Sequence, residues 1–172
     1  MSELDEAWEL ALAEAQTRAH AAGRRDIADY LSLRRRNDLL RRTATDWLIN
    51  EFMFLAGAAN RSGAGIQMER HDEHRFARGS ASMLGKGVTF RHGVRALTIE
   101  SGWPRIPKDG IVRGGGLACA NIKHFGRPRL NQELLLIRSP KGSPEWLVVN
   151  DDQRTSLTEM DLQRHIANLT QS

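Results

Sequence analysis

Three observations predict an α+β fold: N-terminal helices on a mostly antiparallel sheet of six to eight strands, closed by a C-terminal helix. Apolar residues recur at helical spacing up to Ser62-Gly63-Ala64-Gly65, then fall into short strand-like runs until about residue 150. The links between those runs are mostly short, with none of the helical crossovers that parallel strands require. Helical spacing returns after Thr158. The 172 residues suit one domain, 1–172, with a helical part at 1–62, the sheet at 63–150 and the closing helix in 151–172.

The first helix spans about residues 3–22, with Leu4, Trp8, Ala11, Leu12, Ala15 and Ala19 as its stripe. Ser2 is placed to cap it, acids crowd its first turns, and Gly23 sits where a left-handed C-terminal cap belongs. Asp26 is the expected cap of a second helix with Ile27, Tyr30, Leu31 and Leu39 inward. Thr45 or Asp46 starts a third helix or continues the second. Its run from Trp47 and Leu48 through Phe52, Met53 and Phe54 to Ala59 is apolar on most sides, which predicts a helix buried on the sheet.

Ile66 and Met68 open the strands, and His71-Asp72-Glu73-His74 is the pattern of a turn. Arg75–Arg78 and Ser80–Leu84 make one broken strand or two, interrupted at Gly79, and Gly85-Lys86-Gly87 signals a hairpin. Val88–Arg91 follows, then a turn at His92-Gly93 and a strand carrying Leu97 and Ile99. Leu117–His124 and Glu133–Arg138 are further strands; Leu134 to Ile137 in succession predicts a central strand covered on both faces. Trp146–Val149 is the last, and Thr158 caps a helix over about 158–170 with Leu162, Ile166 and Leu169 on one face.

Charge is uneven. Residues 63–150 carry 14 Lys/Arg against 7 Asp/Glu, while residues 1–62 carry 9 against 10. That bias argues for an anionic partner. The segment 101–116 is long for a loop in so compact a chain, and it bears Trp103, Arg105, Lys108 and Arg113. These four, with Arg91 and Arg95 beside the His92-Gly93 turn, are the expected ligand-binding residues, Trp103 as apolar anchor and the cations as grip. Arg113-Gly114-Gly115-Gly116 lacks the following helix that a phosphate loop needs.

Catalytic signals are thin. Cys119 and His124 are five apart, so on one strand they face opposite ways and form no local dyad. His71-Asp72-Glu73-His74 offers metal-ligating groups without a second cluster, so no metal and no cofactor is expected. The chain is therefore read as a non-catalytic module for a protein partner or anionic ligand, with a homodimer as one version. The alternatives are nucleic-acid association through the basic sheet region, and an enzyme whose site gathers distant residues around Cys119 and Glu100. A lone cysteine, an acidic start without signal-peptide character and no long apolar run predict a cytoplasmic protein away from membranes.

Overall fold

The computed structural model describes residues 3–171. Helix α1 (Glu3–Ala21) and helix α2 (Arg25–Arg61) form a hairpin. Gly23 has φ +71° and closes α1, its amide donating to His20 O at 3.0 Å. The Ser2 cap lies outside the described residues. Arg24, not Asp26, occupies the N-cap of α2 and makes no side-chain cap bond; Asp26 instead supports the dipole from the first turn. α2 runs unbroken for 37 residues, about 55 Å, so Thr45 and Asp46 are interior positions of one helix.

Polar contacts hold the two helices together. Trp8 Nε1 donates to Asp38 Oδ2 at 2.8 Å, Arg42 pairs with Glu9 at 3.2 Å, and Arg34 lies over the Trp8 ring. Leu12, Ala19 and Ala28 are buried at the contact, whereas Leu4 and Ala11 of the expected stripe are exposed. Tyr30 and Leu39 are largely exposed, and this half of α2 packs on α1 while touching the sheet through polar contacts such as Arg138 of β5 with Asn37. The C-terminal half buries one face made of two adjacent rows, Ala44, Leu48, Phe52 and Ala56 beside Thr45 and Ile49, each row advancing by four residues. Trp47 and Phe54 stay exposed, so this stretch is covered on one side and not all round.

The sheet is a seven-stranded antiparallel meander in the order β1 to β7. Its strands are β1 (Gln67–Arg78), β2 (Ala81–His92), β3 (Arg95–Trp103), β4 (Ala118–His124), β5 (Gln132–Arg138), β6 (Pro144–Asn150) and β7 (Gln153–Ser156). Helix α3 (Glu159–Thr170) follows, with Thr158 and Asp161 forming a capping box. One face of the sheet carries Val88, Phe90, Leu97, Ile99, Ala120, Ile122, Leu134, Leu136 and Val148 against α2 and α3, and this is the main core. Among the described residues no helix is long and apolar enough to cross a membrane.

Two turn signals prove to be strand interior, while the break at Gly79 is a true turn between two strands. His71–His74 is a bulge within β1, where the register with β2 shifts, and not a turn. Gly79-Ser80 is the β1–β2 hairpin turn, so no single strand crosses it. Gly85-Lys86-Gly87 lies in the middle of β2. Its glycines serve close approach: a Cβ on Gly85 would sit 1.9 Å from Ser101 O, and one on its partner Gly102 would sit 2.6 Å from Leu84 O. Beyond that contact the hairpin end bends over the second face of the sheet. Arg78 there donates to Ala120 O at 3.1 Å and to Leu134 O at 2.8 Å, carbonyls that belong to β4 and β5. A small second core of Ala81, Met83 and Cys119, with Phe76 and Val112, fills the space beneath.

Candidate functional site

The second face of the sheet has no helix on it. Register places His74 and Arg78 of β1, Glu100 of β3, Cys119, Asn121 and Lys123 of β4, and Glu133 and Leu135 of β5 on that side. Arg154 of β7 faces the same way, opposite Val149. The segment 104–117 crosses one end, with a 3-10 turn at Pro107–Asp109.

At its centre Glu100 is buried. Asn121 Nδ2 donates to Oε1 at 3.1 Å, Lys123 Nζ lies 2.5 Å from the same oxygen, and His74 Nε2 lies 2.8 Å from Oε2. Burial pushes the carboxyl up, but the donors from Lys123, His74 and Asn121 outweigh it and hold the pKa below its ordinary 4.5. Gly87 lets the His74 ring lie flat on the sheet, since a Cβ there would come 3.2 Å from the ring. Cys119 is buried beside Arg78. Burial raises its pKa from 9.0, so the thiol stays protonated and shielded. Cys119 and His124 do face opposite sides, one toward this surface and the other toward α3. Among the described residues no group of three or more His, Cys, Asp and Glu is arranged to hold a metal ion.

Where the hairpin end meets the loop, a cleft of about 410 Å³ opens. Arg78, Arg113 and Arg154 line it together with Gly79, Gly114 and Glu133. Arg78 is fully engaged, its third bond going to Glu133 at 3.1 Å. Arg154 Nη2 donates to Gly114 O at 3.1 Å. Arg113 makes no hydrogen bond or ion pair among the described residues, and its guanidinium lies against Gly79, where a Cβ would meet it at 3.2 Å. Two of the three glycines are in close contact here, whereas Gly115 has open space around it. A Cβ on Gly114 would strike Arg154 at 2.6 Å, and one on Gly116 would strike Leu135 at 2.2 Å. The amides of Arg113 to Gly116 find no acceptor among the described residues. With Glu133 matched by Arg78, two guanidinium groups remain in surplus.

The other expected ligand residues lie elsewhere. Trp103 is buried at the end of β3, with the Arg105 guanidinium 3.9 Å over its ring. Arg105 is already paired with Asp5 at 2.7 Å and donates to Leu84 O. Both line a second cavity, of about 220 Å³, between the helices and the β1 bulge. Lys108 is exposed in the 3-10 turn and lines neither space. Trp103 pairs with Leu84 and Arg95 pairs with His92, eight residues apart along the ladder, about 26 Å. Arg91 and Arg95 thus sit at the far end of the sheet from Trp103. Of the six, Trp103 and Arg105 are in contact at one end and Arg91 and Arg95 share the β2–β3 hairpin at the other, while Lys108 and Arg113 join neither pair. Arg113 gains two companions that sequence reasoning missed, Arg78 and Arg154.

No family model, no curated protein and no solved structure matches this chain. Function has to be read from the geometry.

Proposed function

We propose that the chain is a non-catalytic binding module that holds a phosphate or carboxylate group in the Arg78–Arg113–Arg154 cleft. The observation that carries this reading is the unpaired Arg113 guanidinium, set beside Arg154 over glycine backbone with its neighbouring carboxylate already neutralised. Two guanidinium forks match the planar oxygens of phosphate and carboxylate, and an anion there would also satisfy free loop amides. A buried, protonated Cys119 offers no nucleophile to convert the bound group. Glu100, held by three donors, is occupied as an acceptor. The single buried cysteine accords with the cytoplasmic setting that belongs to the same reading.

The test is calorimetric titration with pyrophosphate at two salt concentrations. Arg113→Ala should weaken binding about 10- to 100-fold, in line with the ~1.5–3 kcal/mol of a hydrogen bond to a charged group, and Arg154→Ala should act in the same direction. Arg91→Ala with Arg95→Ala should leave affinity unchanged. Equal binding by wild type and Arg113→Ala removes the cleft as the site.

A further inference from the structure

The second cavity has a different chemistry from the cleft. Leu4 and Leu39 come from the helices and Leu84 and Trp103 from the sheet, giving it apolar walls. Around them stand three cations, each already matched: Arg105 with Asp5, Arg42 with Glu9 at 3.2 Å, and Lys86 with Asp46 at 2.5 Å. The β1 bulge then adds two more carboxylates. Asp72 is taken by Arg70 at 2.8 Å, which holds its pKa below the ordinary value. Glu73 makes no hydrogen bond or ion pair among the described residues. Among the described residues every cation at the rim is spent and one carboxylate is left over.

We infer that this cavity binds a small monocationic amine with an apolar body, the ammonium on Glu73 and the body against Leu39, Leu84 and Trp103. An anion would have to break an existing ion pair and would sit among five carboxylates. A neutral apolar molecule would fill the walls but leave Glu73 unanswered. A monocation satisfies both, and Asp46, which uses only Oδ1 on Lys86, offers a second acceptor nearby. The volume of about 220 Å³ lies below the ~300 Å³ at which drug-sized pockets begin, so the ligand is of single-ring size. The bulge supplies the selectivity. By shifting register between His71 and His74 it turns Asp72 and Glu73 to the cavity mouth, where a regular strand would send alternate residues to opposite faces.

The probes are 2-phenylethylamine, 2-phenylethanol and 3-phenylpropanoate, titrated while ¹H–¹⁵N spectra are recorded. The amine should shift the Trp103 indole and the Glu73 and Leu84 amides, and should bind about tenfold more tightly than the alcohol, with the carboxylate weakest. Glu73→Gln, an exposed change that the fold tolerates, should abolish the preference for amine over alcohol while leaving the alcohol's affinity as it was. Equal binding of amine and alcohol, a preference that survives Glu73→Gln, shifts that map away from Trp103, or no shifts with any probe would each overturn the inference. None of these outcomes bears on the arginine cleft, whose residues lie on the other side of the hairpin end.

Discussion

Lowering the pH from 7 to 5 should destabilise this protein through one pair of buried imidazoles. His124 ends β4 on the helix-covered face and His165 comes from α3; His124 Nε2 lies 2.8 Å from His165 Nδ1. His165 Nε2 in turn meets Gln132 Oε1 of β5 at 2.9 Å, and Phe52 of α2 lies beside the His165 ring. His124 Nδ1 is buried without a partner. With the Gln132 oxygen as acceptor, His165 carries its proton on Nε2 and receives one from His124, leaving the last nitrogen a bare lone pair. A second proton on either ring has nowhere favourable to go. Burial pushes both pKa values down from 6.5 to about 4, with Arg127 adding to the effect at His124. At His165 the His124 ring and Arg164 also lower it, and Asp161 only partly offsets them.

Native rings stay neutral down to about pH 4 while unfolded ones charge through 6.5, so the unfolded state binds more protons in that window and stability falls as pH falls. Between pH 7 and 5 each ring contributes a loss of about 2 kcal/mol, about 4 for the pair, which is a large part of a typical ~5–15 kcal/mol stability. The melting temperature should drop by about 8–16 °C. Thermal melts followed by circular dichroism at pH 7 and pH 5 measure this. His124→Leu with His165→Leu, which removes the titrating pair, should flatten the dependence over that interval. The double variant losing as much as wild type would refute the reasoning, because the loss would then come from other groups.

Two further outcomes test the sheet and its second face. Gly85→Ala should cost more than about 3 kcal/mol or prevent folding, since its Cβ meets backbone at 1.9 Å, whereas Gly115→Ala should cost only the ~1–2 kcal/mol of a left-handed residue because nothing lies within 4 Å. Denaturant melts that give the two variants equal stability would refute a close β2–β3 backbone contact at Gly85. Native Cys119 should react with a disulfide reagent at pH 8 far more slowly than the denatured chain, which should release one equivalent. Fast native labelling would reopen the reading of a thiol-centred enzyme.

Helices were legible where one stripe decides them. Leu162, Ile166 and Leu169 behind a Thr158 cap define α3, and the spacing of Leu48, Phe52 and Ala56 marks the half of α2 that meets the sheet. The strands β4 to β6 and the start of β3 were equally plain, but Ser101-Gly102-Trp103, expected in the 101–116 loop, is the end of β3 paired with Leu84–Lys86, because a Ser-Gly step before Trp-Pro shows no alternation. What misled was polarity and glycine. β1 is an edge strand whose His71-Asp72-Glu73-His74 segment has the composition of a turn, and only pairing with β2 makes it a bulge. β7 is Gln153–Ser156, every residue exposed, so no alternation announces it. Glycines at 85 and 87 punctuate a sequence in the same way whether they allow a reversal or a close backbone crossing.

The cleft was half legible for a related reason. Arg113 and the triglycine stood out because they lie in a long loop, a local property of the chain. Arg78 and Arg154 carried no such mark; one ends a strand and the other sits in a strand that polar composition concealed. What joins the three is the bend of the β1–β2 hairpin across the second face, and that bend depends on Gly85 opposite Gly102, a pairing seventeen residues apart in sequence. Charge counting could therefore find the excess of cations in residues 63–150 but not its location. The same bend carries Gly79 to Arg113 and sets the roof over Cys119, so one steric feature governs both the cleft and the shielding of the thiol. Any change that relaxes the Gly85–Gly102 contact should thus weaken anion binding and expose Cys119 together, a coupling that neither site would show if the hairpin end were an independent flap.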